Sequence, residues 1–167
     1  MTDIEKDFDA IYKLHSPKVY RLCMGYAKGD STQANEWMQD TFVKLWNHRK
    51  QFKAESQIST YIYRIALNTC LGSLRISNKR FVTELPIAMQ DESTAELGEE
   101  DFRNTTILEL YDCIDKLSSQ NKSLILMELE QISQETIAAT AGLKYGTLRT
   151  RLNRIKSSLY KCLNHGK

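Results

Sequence analysis

SQETIAATAGLKYGTLRTRLNRIKSSLYKC, residues 133–162, carries two helical patterns separated by a glycine. In the second, Leu148, Leu152, Ile155, Leu159 and Cys162 recur at steps of four, three, four and three, which makes one face of a single long helix apolar. Thr150, Asn153, Arg154, Ser157 and Lys161 fall on the opposite face. From Lys144 to Lys167 the chain holds Lys144, Arg149, Arg151, Arg154, Lys156, Lys161 and Lys167 and no Asp or Glu. Upstream, Ser133 suits the N-cap of a short helix through Ala141, with Ile137, Ala138 and Ala141 facing inward and Gly142 as the left-handed stop. A short helix, a glycine turn and a longer, basic, polar-faced helix form the pattern of a helix-turn-helix, whose second helix enters the DNA major groove. Taken alone, the same pattern also fits a solvated surface helix, so the remainder of the chain decides between the two.

The 167 residues suffice for one ordinary domain or two small ones. No run approaches the roughly 18 apolar residues of a membrane span, and MTDIEKDFDA has neither a basic start nor an apolar core of the signal-peptide kind. The expectation is a cytoplasmic protein with no membrane insertion. Cys23, Cys70, Cys113 and Cys162 lie far apart, each within an apolar helical pattern and without a neighbouring histidine. They read as reduced core cysteines, and no metal site, cofactor or catalytic residue is expected.

The net charge of +2 conceals an uneven distribution. Residues 1–80 hold 13 Lys and Arg against 8 Asp and Glu, residues 81–104 hold 1 against 7, and residues 105–167 hold 9 against 6. Two basic halves are joined by an acidic strap. In the first half, Ile4, Phe8, Ile11, Tyr12 and Leu14 precede Ser16-Pro17, which reads as a cap and the first turn of a second helix carrying Val19, Leu22, Cys23 and Tyr26. Thr32 suits the cap of the next helix, with Ala34, Met38, Phe42 and Leu45 as its core stripe and Trp37 and Trp46 at its edges. After a loop over residues 49–57, a helix starting at Ser59 or Thr60 carries Ile62, Ile65, Ala66 and Leu74 inward. Tyr61, Tyr63, Arg64, Asn68, Arg75, Lys79 and Arg80 lie on its other faces. Rings interleaved with cations suit a single nucleic-acid strand, since a ring stacks on an unpaired base while the cation meets the phosphate. Periodicity is absent from 81 to 104, the composition of a flexible linker, and resumes with Ile107, Leu110, Tyr111, Ile114 and Leu117. Ser118-Ser119 then starts an apolar helix, and these two segments are expected to pack behind the helix-turn-helix.

The fold class expected from these patterns is all-α: two small helical domains, 1–80 and 105–167, joined by a flexible acidic linker over 81–104, the C-terminal domain being a helix-turn-helix. In order and spacing, LHSPKVYRL, EWMQDTFVKLW, Phe52 to Ser56 and STYIYRIALNT, followed by LYDCIDKLSSQNKSLILM and TIAATAGLKYGTLRTRLNRIKSSL, resemble domains 2 and 4 of the extracytoplasmic-function (ECF) group of bacterial sigma factors. The resemblance implies a transcription initiation factor, not an enzyme, that binds core RNA polymerase and directs it to promoter DNA. It implies polymerase contacts at Glu36, Gln39 and Asp40, aimed at the clamp coiled coil of the largest catalytic subunit. Minus-ten recognition and melting would fall to the 49–57 loop with Tyr61, Arg64, Asn68, Arg75, Lys79 and Arg80. Minus-thirty-five recognition would fall to Lys144, Tyr145, Thr147, Arg149, Thr150, Asn153 and Arg154. An anti-sigma factor is a further candidate partner. The chain departs from the family pattern at Gln33-Ala34-Asn35-Glu36, where a more acidic run is usual, at Tyr61, where Trp is common, and at Thr136, where Glu is frequent. The competing reading is a stand-alone helix-turn-helix regulator with a sensor or dimerisation domain in its first half. A small helical enzyme finds no nucleophile motif, phosphate loop or metal cluster to support it.

Overall fold

A computed structural model describes residues 3–55, 57–83 and 99–165, with side chains at 3–55, 57–76 and 106–165. All regular structure among them is helical: α1 (Asp3–Tyr26), α2 (Ser31–Asn47), a 3-10 turn (Arg49–Gln51), α3 (Ile58–Thr83), α4 (Glu99–Asp115), α5 (Ser119–Leu129), α6 (Gln134–Ala141) and α7 (Tyr145–His165). None of the helices described is long and apolar enough to cross a membrane.

In the first half α1, α2 and α3 pack on one another. Val19, Leu22, Cys23, Ala34, Leu45, Ile62, Ala66 and Cys70 are fully enclosed between them. Each large aliphatic side chain buried in this way contributes about 1.5 to 3 kcal/mol, and that burial explains why α1 does not stop where the sequence suggested. Pro17 lies inside α1, which runs on to Tyr26, and the irregular residue is Asp7 (φ −114°, ψ 15°). Proline removes one backbone hydrogen bond, but Val19, Leu22, Cys23 and Tyr26 beyond it hold the helix in register against its neighbours. The cap of α2 is Asp30 rather than Thr32, its carboxylate accepting from the Gln33 amide at 3.1 Å. Trp37 joins the core, whereas Trp46 stays at the edge, 39% exposed.

In the second half α4, α5 and α6 all pack on α7. Ser118 caps α5 by accepting from the Asn121 amide, and Leu124, Ile125, Met127, Ile137, Leu148 and Leu152 form the core. α3 and α4 reach into the 81–104 stretch from either side, to Thr83 and from Glu99. The remainder of the strap, 84–98, lies outside the described residues.

The halves also touch, α1 against α5 and α3 against α6. A Cβ on Gly25 would lie 2.5 Å from Leu126 Cδ2, so α1 and α5 approach closely at a residue without a side chain. Around this point Arg21 pairs with Glu130 at 2.5 Å, Lys28 with Asp115 at 2.9 Å, and the buried Lys122 with Asp115 at 2.7 Å. The Lys122 ammonium also lies over the Tyr26 ring, 5.1 Å from its centre. Partial burial on its own raises the Asp115 carboxyl, but hydrogen bonds from Lys122 and Lys28 more than offset it, leaving its pKa below the ordinary value.

Two of the four cysteines depart from the expectation. Cys113 on α4 and Cys162 on α7 are joined by a disulfide, with Cα atoms 6.0 Å apart. Cys23 and Cys70 are unbonded and buried. Spacing along the chain could not reveal the pairing, because packing of α4 on α7 brings together residues 49 apart in sequence.

Candidate nucleic-acid interface

The helix-turn-helix forms as its residues dictate. Ser133 Oγ accepts from the Thr136 amide at 3.2 Å, which starts α6. Gly142 (φ 69°) ends it in the left-handed region, and the Leu143 amide donates back to the Ala138 carbonyl at 2.9 Å. α7 buries Leu148, Leu152, Ile155 and Leu159, and a Lys156–Glu128 pair at 3.0 Å fastens its outer side to α5. Lys144, Tyr145, Thr147, Arg149, Thr150, Asn153 and Arg154 are all exposed. Four of them, Thr147, Thr150, Asn153 and Arg154, help to line two shallow grooves along the helix, one formed by Gly146, Thr147, Thr150, Arg151 and Arg154, the next by Asn153, Arg154, Ser157, Ser158 and Lys161. The Arg149 guanidinium lies over the Tyr145 ring, 5.8 Å from its centre, and the Thr150 hydroxyl donates to the Gly146 carbonyl at 3.1 Å.

Arg151 was not singled out from the sequence, yet it lines the first groove, and its Nη1 is shielded from solvent with no hydrogen-bond partner. An unpaired buried donor is costly, and an anionic oxygen entering the groove would satisfy it. The signal was present in the acid-free basic run, but helical spacing alone places Arg151 near the edge of the apolar stripe.

On α3, Tyr61, Arg64, Asn68 and Arg75 fall at steps of three, four and seven, and therefore share one side. Tyr61 is half-buried, its ring tilted against Phe52 at 5.1 Å, while Asn68 and Arg75 are exposed. Arg64 points across to the second half, where Nε donates to the Thr140 carbonyl at 3.2 Å and Nη2 to the Ala139 carbonyl at 2.5 Å. These carbonyls are at the C-terminal end of α6, the negative end of a helix, which favours a cation. Tyr63, assigned to the same outer faces, is instead buried. Lys79 and Arg80 lie on α3, with side chains outside those described. Leading into α3, Ala54 takes a left-handed conformation (φ 56°), an uncommon one for a residue other than glycine.

On α2, Glu36, Gln39 and Asp40 are all exposed, and their spacing of three and one keeps them on one side. Beside them runs an apolar groove lined by Phe8, Tyr12, Gln39, Phe42, Val43 and Trp46. Val43 is 56% exposed. The Trp46 ring is held by the edge of Phe8 at 5.1 Å and by the Arg49 guanidinium at 4.2 Å, and Arg49 is itself paired with Glu5 at 2.6 Å. Sequence reasoning missed this groove, although Val43, an apolar residue off the Ala34-Met38-Phe42-Leu45 stripe, was the visible sign of it.

Residues 11–80 match the family Sigma-70 region 2, and residues 107–159 match Sigma-70, region 4. The RNA polymerase sigma factor YlaC of Bacillus subtilis is 32% identical over 131 residues, covering 77% of this chain and 76% of that protein. The ECF RNA polymerase sigma-E factor of Haemophilus influenzae is 26% identical over 166 residues, 93% and 86% of the two chains. The ECF sigma factor SigE of Mycolicibacterium smegmatis is 24% identical, and this chain spans 60% of its length. Two solved structures share the fold. They are the sigma factor RpoE bound to the anti-sigma factor NepR from Bartonella quintana (TM-score 0.67, 20% identity, 95% and 98% of the chains covered) and CnrH bound to the cytosolic domain of CnrY (TM-score 0.71, 17% identity, 98% and 91%). Both regions in order, on a chain whose described elements are all helical, fix the assignment: this chain belongs to the ECF group of bacterial RNA polymerase sigma factors, initiation factors that bind core RNA polymerase and direct it to specific promoters.

Proposed function

We propose that the two halves divide the work of promoter recognition, residues 1–80 engaging polymerase and the minus-ten element, and residues 105–167 the minus-thirty-five element. The observation that carries this reading is the exposure of Lys144 and, on α7, of Tyr145, Thr147, Arg149, Thr150, Asn153 and Arg154 around a buried apolar stripe. That face has nothing to do for the fold and fits a major groove. Glu36, Gln39 and Asp40 meet the clamp coiled coil of the largest catalytic subunit by charge, and the adjoining Val43 and Trp46 groove adds apolar area to a contact that charge alone would leave weak.

The 49–57 loop with Tyr61, Arg64, Asn68, Arg75, Lys79 and Arg80 holds the opened minus-ten strand. Unstacking a base costs a few kcal/mol, offset by an acceptor pocket and by cations along the strand. Asn68 offers a donor and an acceptor to a base edge. This chain performs no chemical step in the opening and acts in the cytoplasm, alongside polymerase. An anti-sigma factor is a partner of the kind bound in the RpoE structure.

Run-off transcription with bacterial core polymerase tests the whole reading, and Asp40→Arg tests its polymerase face. The variant should keep its helicity while core binding drops by tenfold or more. Binding equal to the parent would assign that face of α2 to solvent.

A further inference from the structure

The second half contains a cysteine pair for which promoter recognition has no use. Cys113 is 7% exposed on α4, and Cys162 is half-buried in the last turns of α7, following Lys161 in a segment without acids. Their bond spans 49 residues and so encloses α5, α6 and the DNA-reading part of α7 in one covalent loop. The first half supplies a contrast within the same chain. Cys23 and Cys70 are wholly enclosed, with sulfurs 3.6 Å apart, yet remain thiols. The hydrogen bond from Cys70 to Cys23, together with burial, holds the Cys70 thiol far above its ordinary pKa, which suppresses the thiolate. One pair is therefore sealed and inert, and the other is bonded, with one of its two residues only half-buried. A factor that works on polymerase in a reducing compartment does not keep a permanent staple, because disulfides there are as a rule transient and redox-sensing.

We propose that Cys113 and Cys162 form a reversible thiol–disulfide site in the DNA-reading half, oxidised by hydroperoxides and reduced by a dithiol protein of the thioredoxin class. The proposal rests on the sigma-factor reading for its compartment. The more accessible Cys162 thiolate attacks a peroxide oxygen and becomes a sulfenic acid, with release of the alcohol, or of water from hydrogen peroxide. Cys113 sulfur then displaces the hydroxyl from Cys162 sulfur, and its proton leaves with that hydroxyl as water. Two thiols lose two electrons and two protons, and ROOH becomes ROH and H2O. A dithiol reverses the step by exchange through a mixed disulfide, leaving itself oxidised. Closing so large a loop removes freedom from the unfolded chain, so the oxidised recognition unit survives conditions under which the reduced one melts.

The test uses the full chain, reduced with dithiothreitol and then treated with hydrogen peroxide. Thiols are counted in denaturant, the linked peptides are mapped, and the melting of the second half is followed. Four thiols should fall to two, the link should join Cys113 to Cys162, thioredoxin should restore all four, and oxidation should raise the unfolding midpoint by on the order of 10 °C or more. Cys162→Ser, at a half-buried position, should fold, keep its three thiols as a monomer, and show no shift in midpoint. Retention of four thiols in the parent, a link between Cys23 and Cys70, or a bond that thioredoxin leaves intact under native conditions would each overturn the site. Run-off transcription on the same samples separates the two readings. A protein that transcribes but never forms the bond lacks only the redox site, and one that forms the bond but never transcribes lacks the sigma function.

Discussion

Arg149 and Arg64 carry the same guanidinium into opposite circumstances. Arg149 is exposed on α7 with the Tyr145 ring beneath it, whereas Arg64 is held by two carbonyls of α6. The first circumstance was readable from the sequence, because exposure on a helix follows from the step of three and four that buries Leu148 and Leu152. The second was not, since the partners of Arg64 lie 75 and 76 residues further on. For Arg149 the prediction is a specificity change. A side chain bonded twice to a guanine contributes roughly 1 to 3 kcal/mol of discrimination at that base pair, while a phosphate contact weakens all sequences alike. Arg149→Ala should relax preference at one position of the minus-thirty-five element, measured by binding to a set of singly substituted promoters. A uniform loss with a shallower salt dependence would make Arg149 a backbone clamp.

Helix existence was legible because each element announces itself within a few residues. Ser133, Gly142 and Ser118 terminate or cap where the spacing requires. Two boundaries were misread for a common reason. Ser16-Pro17 and Thr32 are good local signals, but the apolar residues after Pro17 find partners on α2 and α3, and Asp30 lies one residue before the observed start of α2. Gly25 carries the clearest prediction at this scale. Replacing glycine by alanine inside a helix gains about 1 kcal/mol of intrinsic helix preference, but here the new methyl would meet Leu126 at 2.5 Å. Gly25→Ala should preserve helicity and push α5 away from α1, lowering the unfolding midpoint by a few degrees and speeding hydrogen exchange in α5. A raised midpoint with unchanged exchange would show that Leu126 rotates aside at little cost.

The arrangement of the whole molecule sets a limit on what it can reach in this form. The two promoter elements are named for positions about 25 base pairs apart, or about 85 Å at ~3.4 Å per pair. α7, one of the longer helices, is about 32 Å long at ~1.5 Å per residue. If each half reads one element as proposed, the contacts of α3 with α6 and of α1 with α5 should open when polymerase binds. Of the ion pairs between the halves, Lys28–Asp115 is open to solvent and weak, whereas the Glu130 partner of Arg21 is largely shielded. Acid acts on the Asp115 pairs only at low pH. The Asp115 pKa is lowered in the folded chain, so its contribution is present above about pH 4 and is lost only as pH falls through the folded value. Dyes at positions 13 and 116, both exposed, should therefore show energy transfer in the free protein that drops on adding core polymerase, before any DNA is present. Transfer unchanged by polymerase would mean that the halves remain together in the complex.

While Arg64 is engaged by the end of α6, it is unavailable to phosphates. Binding to random DNA weakens with every cation withheld, since each phosphate neutralised releases counterions that favour the complex. A genome offers on the order of a million or more such sites, all competing for a basic protein. With one cation held by its own backbone, the free chain should bind random DNA more weakly than it would with Arg64 released.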